Sequence, residues 1–188
     1  MNATAAIVLS RLSSERRGLT LACVAAAVVG FLAPRGLAGP AFFCGLCGIG
    51  LALAGGPGRR PHLDACERSA PLFGRQLARA KATVPCVAAA IALLCYELGA
   101  AAGGVAPLWW SVVAALASVT ATTLVALCAT IRSGSSRALY LALAAMTTAT
   151  AYALASSLPV AFELAFCAAA AFLALRQYGE ALARYDPV

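Results

Sequence analysis

Charge is scarce in this chain. Only 11% of its 188 residues are Asp, Glu, Lys or Arg, where a soluble domain carries about a quarter, and 62% are hydrophobic. Groups that do chemistry are scarcer still. There is one histidine, His62, beside Asp64 and Cys66, and one lysine, Lys81. The only histidine lies in a connection between apolar runs, so no Ser–His–Asp set is expected, and it reads as a solvated loop residue. No Gly-x-x-x-x-Gly frame precedes Lys81, so a phosphate-cradling loop is excluded. The chain is expected not to be an enzyme and to need no cofactor or metal.

Long apolar runs take the place of charge. Six are present, at 18–33, 40–56, 84–103, 107–131, 138–157 and 160–175. About 20 apolar residues cross roughly 30 Å of hydrocarbon, so the expectation is an all-α polytopic membrane protein with six transmembrane helices. Threaded this way, thirteen of the fourteen Lys and Arg residues fall on one side. These are Arg11, Arg16 and Arg17; Arg59, Arg60, Arg68, Arg75, Arg79 and Lys81; Arg132 and Arg137; and Arg176 and Arg184. Only Arg35 lies opposite. Positive charge near helix ends resists translocation, which puts both termini in the cytoplasm and the protein in the cytoplasmic (inner) membrane. Four or five spans would scatter the charges. Six spans and one long connection make 1–188 a single transmembrane domain with no room for a second, soluble one. Topology then accounts for the net charge of +7 without nucleic acid. The first run, led by Arg16 and Arg17, has the outline of a secretory signal. It ends at Pro34-Arg35-Gly36, and Pro40 after Ala38-Gly39 makes a poor cleavage site, so it is read as a retained span.

The outside connections are minimal, at 34–39, 103–106 and 156–159, so spans 1–2, 3–4 and 5–6 are expected as antiparallel hairpins. Trp109 and Trp110 open span 4 and Tyr152 nears the end of span 5, at the outer level where an aromatic belt places them. Of eight cysteines, all but Cys66 sit in apolar runs, where Cys acts as a small hydrophobe. Cys44-x-x-Cys47 has redox or metal spacing, but no His, Asp or Glu stands near it. Close helix packing through small residues is the main reading, and a thiol relay the other.

Two inside segments are more than loops. Residues 2–17 set Ile7, Val8, Leu9 and Leu12 among Arg11, Glu15, Arg16 and Arg17, the pattern of an interfacial amphipathic helix. The connection 58–83 opens with Gly58-Arg59-Arg60-Pro61 and carries a helix from Pro71, proline being at home in a first turn. Phe73, Leu77 and Ala80 share one face of that helix and Arg75 and Arg79 the opposite one. It is expected at the inner surface, running into span 3 through Thr83-Val84-Pro85.

This layout resembles the membrane subunit of an ABC exporter of the type-two export class, over the whole chain as layout and over 67–85 as motif. In that family the span 2–3 connection holds a coupling helix that docks on the ATPase, with a Glu-Arg element near its start and a Gly after it. Glu67-Arg68 and Gly74 stand in those places here. The resemblance implies a separate ATPase subunit contacted by Glu67, Arg68, Arg75 and Arg79, pairing as a homodimer or with a related membrane subunit, and alternating access. Larger members carry short outside helices between spans 5 and 6. Here only 156–159 remains, which removes the ground for expecting a bulky lipid or polysaccharide substrate. Membrane subunits of haem exporters share the general layout.

Two carboxylates interrupt the apolar runs, Glu97 in span 3 and Glu163 in span 6. A charge at mid-span costs about 2.5–3.5 kcal/mol on insertion scales, so such residues are candidates for a transport path. Glu163 lies about 6 Å below the outer turn at 1.5 Å per residue, within reach of headgroups, and Glu97 lies deeper. Pairing with Arg35 is open to both. Besides an ATP-driven exporter, two further functions fit: a stand-alone ion-coupled carrier using Glu97 and Glu163, and a non-transporting scaffold or assembly protein.

Overall fold

The computed structural model describes residues 3–32, 39–54, 74–106 and 108–184. These fold as seven α-helices, with no strand among them: α1 (Ala3–Ser14), α2 (Arg16–Leu32), α3 (Gly39–Ala54), α4 (Gly74–Ala102), α5 (Trp109–Thr130), α6 (Gly134–Ser157) and α7 (Val160–Arg184). Each apolar run is centred on one helix. Among the described residues, four segments are long and apolar enough to cross a membrane: Gln76–Ala102, Trp109–Thr130, Gly134–Ser157 and Val160–Ala183. Helices α2 and α3, with 17 and 16 residues, reach only about 24–26 Å at 1.5 Å per residue.

Helix α5 is the hub, packing against α3, α4, α6 and α7. Every residue from Ala121 to Ala129 is buried. A helix apolar or small on all sides has no solvent face to present and belongs at the centre of a bundle.

Helix α2 is held mainly by α4, through glycines. A Cβ on Gly30 would run into the Tyr96 carbonyl, one on Gly99 into the Ala27 carbonyl, and one on Gly103 would lie 3.0 Å from the Phe31 carbonyl oxygen. Ala27 with Gly99 and Phe31 with Gly103 share one offset, so the two helices run in the same direction. Small residues let the backbones touch, as in membrane helix pairs. Helix α4 then closes with Gly104 at φ +83°. The Val105 N–H donates to the Ala100 carbonyl and the Gly104 N–H to that of Ala101, both at 3.0 Å. This left-handed cap satisfies the terminal carbonyls.

The expected inner-surface helix and the third span prove to be one helix. Helix α4 runs 29 residues with Pro85 inside it. Proline removes one ladder hydrogen bond, but Val84, Pro85, Ala88 and Ala89 are buried, and that packing holds the helix together. At about 43 Å, α4 exceeds the hydrocarbon thickness by more than two turns. Its first turns are packed as well: α1 lies against α4, and Ile7, Arg11, Ala78, Lys81 and Ala82 are all buried. Helix α7 also continues well past 175. Its Ala174 and Tyr178 join Ala78, Ala82, Leu127 and Cys128 in one core cluster.

Candidate functional site

The middle of the bundle carries a polar strip on α5. Ser118, Thr122 and Thr123 are all fully buried. Ser118 and Thr122, four apart, share a face. The Thr148 hydroxyl of α6 bonds the Ala144 carbonyl at 3.1 Å, which uses its one proton. Thr122 is therefore the donor in the 3.0 Å hydroxyl pair with Thr148. Thr123 donates to the Val119 carbonyl at 2.7 Å and packs on Gly48 of α3. Gly45 lies against Thr148 in the same way. The glycines of the Gly-rich third helix thus make room for hydroxyls on α5 and α6.

Glu163 sits in the first turn of α7 and is 2% exposed. Its Oε2 is buried with no hydrogen-bond partner among the described residues. Cys167, one turn on, clusters with Ala121 of α5 and Ala151 of α6. Further along, the Cys128 thiol donates to the Ala174 carbonyl at 3.3 Å, an offset of 46 residues that Ala121 and Cys167 share. The same register sets Ala117 level with Glu163. Ser118, next to Ala117, is the other residue with a buried, unpartnered polar atom. Reach to the headgroups, open to Glu163 on sequence grounds, does not occur in this structure.

Glu97 is half-buried on α4 and stands apart from Glu163. Its electrostatic neighbour is Cys44 of α3, beside the Phe43–Tyr96 ring pair, whose centroids lie 6.4 Å apart. The Cys23 and Cys95 thiols are electrostatic neighbours, with Cys47 near Cys23. The Cys-x-x-Cys pair therefore belongs to a group of thiols drawn from α2, α3 and α4. Sequence reading missed the link between Cys23 and Cys95, although the pair keeps the same offset as Ala27 with Gly99. Among the described residues no group of His, Cys, Asp or Glu has the arrangement of a metal site.

Near the start of α4 Arg79 is exposed, Leu77 half-buried and Ala80 fully buried, the division expected of an amphipathic helix. Arg75 is described only as backbone in the first turn of α4. Glu67, Arg68, Phe73, His62, Cys66 and Arg35 lie outside the described residues, and with them any pairing of Arg35 with Glu97 or Glu163. The guanidinium of Arg132 sits 3.9 Å from the Tyr140 ring centroid and donates to the Cys128 carbonyl at 3.0 Å. The Tyr140 hydroxyl donates to Gln177 of α7, tying the end of α5, the start of α6 and the later part of α7 together. Comparison with known protein families, characterised proteins and solved structures returns no match.

Proposed function

We propose that this chain is the membrane-spanning, non-catalytic subunit of an ATP-driven exporter of the ABC type-two export class, working with a separate ATPase subunit. In this reading α2 and α3 complete six spans, both termini are cytoplasmic, the membrane is the cytoplasmic one, and the subunit pairs with itself or a related partner. The observation that carries the reading is the length and packing of α4. A continuous helix joins an inner end bearing exposed Arg79 to the centre of the bundle. It is braced by α1 at its base and locked to α2 at Gly30 and Gly99. A displacement at the inner end would move α1, α2 and α4 as a unit against α5, which is what alternating access driven by an ATPase requires.

Arginine suits the partner contact because its fork binds carboxylates bidentately. The test is Arg75→Glu combined with Arg79→Glu. Arg59, Arg60, Arg68 and Lys81 remain to hold the connection inside, so insertion should persist while copurification of an ATPase is lost. Full retention of ATPase binding and stimulation in that double variant would overturn the assignment.

A second reading, an ion-coupled carrier acting alone, is favoured by one observation: the unpartnered Glu163 carboxyl inside the bundle. Flux through the purified chain without any ATPase would select it.

A further inference from the structure

We propose that Glu163 is a proton-binding site inside the bundle, its carboxyl taking up and giving back a proton at the level of Ser118. The inference rests on the membrane-embedded reading of α7 and is independent of the ATPase partner. Its ground is an anomaly in hydrogen bonding. Buried polar atoms in folded proteins are almost always partnered, and an unpaired charge in an apolar interior costs several kcal/mol. Glu163 is 2% exposed, and its Oε2 has under 1 Å² of accessible surface and no partner among the described residues. Ser118, level with it on α5, is 0% exposed with an unpartnered hydroxyl. Two unmet polar atoms at one level of an apolar bundle mark a built position, not a packing residue.

The geometry also selects the ligand. Oε2 is almost closed to a water-sized sphere, and Oε1 is the oxygen left with access. A metal cation would need several oxygens around it and an organic ammonium would need a cavity, whereas a proton needs neither. The step balances simply: hydronium gives its proton to the carboxylate, leaving a carboxylic acid and water, and the reverse step returns the charge. Both steps can run through Oε1, the oxygen of the carboxyl that is not shut off from water.

Other titratable groups on the packed elements leave the site to itself. On α7, Cys167 is the near neighbour and interacts with Glu163 electrostatically. Arg176, Tyr178 and Glu180 lie three or more turns inward. On α5 the titratable side chain is Cys128, which sits at the level of Ala174. On α6, Tyr152 is exposed and Arg137 and Tyr140 are at the inner end. Helix α4 meets α7 in the core cluster around Ala78 and Ala82, where its Lys81 and Cys86 lie, while Cys95, Tyr96 and Glu97 face α2 and α3.

The test uses the full chain in closed membrane vesicles and two carbodiimides, which add to the acid form of a carboxyl. The membrane-permeant dicyclohexylcarbodiimide should modify Glu163, read by mass on its peptide, and the label should fall about tenfold per pH unit once the site empties. Glu163→Gln, matched in size, should fold, elute as wild type and take no label there. A water-soluble carbodiimide should label exposed Glu180 and spare Glu163. Absence of permeant label on Glu163 at every pH, with Glu180 reactive, would overturn the proton site alone. Labelling of Glu163 by the water-soluble reagent would overturn the membrane-embedded reading of α7 and the proton site with it.

Discussion

At the residue scale, glycines decide which helices touch. Gly30 and Gly99 face backbone carbonyls where a methyl group has no space, and backbone, unlike a side-chain tip, cannot turn aside. Gly99→Ala should therefore destabilise the protein by about 1–3 kcal/mol, the usual range for overpacking, read as a lower midpoint of unfolding in detergent. Gly50 makes the matched control. It lies in helix α3 with nothing within 4 Å of the place a Cβ would take, so Gly50→Ala should gain up to about 1 kcal/mol from helix propensity. Equal effects of the two changes would refute the seam. A milder outcome is expected for Thr122→Val. Thr148 keeps its bond to the Ala144 carbonyl, so the loss should be about 0.6 kcal/mol, typical of interhelical hydrogen bonds in membranes.

At the element scale, Arg132 fastens the end of α5. Its Nη1 bonds the Cys128 carbonyl while its guanidinium lies on the Tyr140 ring. One side chain thus satisfies a terminal carbonyl and contributes a cation–π contact, each worth about 0.5–1 kcal/mol at partly exposed sites. Arg132→Ala should cost roughly the sum of both, and Arg132→Lys should recover only part, because an ammonium keeps the charge and loses the planar stack. Thermal unfolding of the two variants beside Tyr140→Phe, which removes only the bond to Gln177, measures this. A full rescue by lysine would mean that charge alone matters there.

At the scale of the whole molecule, orientation is the property on which the functional reading depends. A reporter at Gly104 is unsuitable because its φ of +83° strains any other residue. Exposed Ala106, in the same turn, is the better site. In intact cells an impermeant thiol reagent should label Ala106→Cys and leave Cys66 untouched. Labelling of Cys66 from outside would invert the topology and remove the cytoplasmic setting that Arg75 and Arg79 need to meet an ATPase.

The amino-acid sequence by itself determined the class of fold and where the helices lie. Scarce charge, six apolar runs and short turns are local properties, and hydropathy reads them without knowledge of neighbours. Trp109 and Trp110, 80% and 73% exposed at the start of α5, are legible in the sequence as an outward-facing helix start for the same reason. What faces what was decided only by the tertiary structure. Arg11 and Lys81 resemble the other inner cations in sequence, yet both are buried where α1 meets α4. Helix α4 runs unbroken through Pro85 because packing outweighs one missing hydrogen bond. The approach of Cys23 to Cys95, and the enclosure of Glu163 at the level of Ser118, depend on the register between helices far apart in the chain. That register is set by small residues meeting across a seam, a non-local fit that no period within one helix encodes.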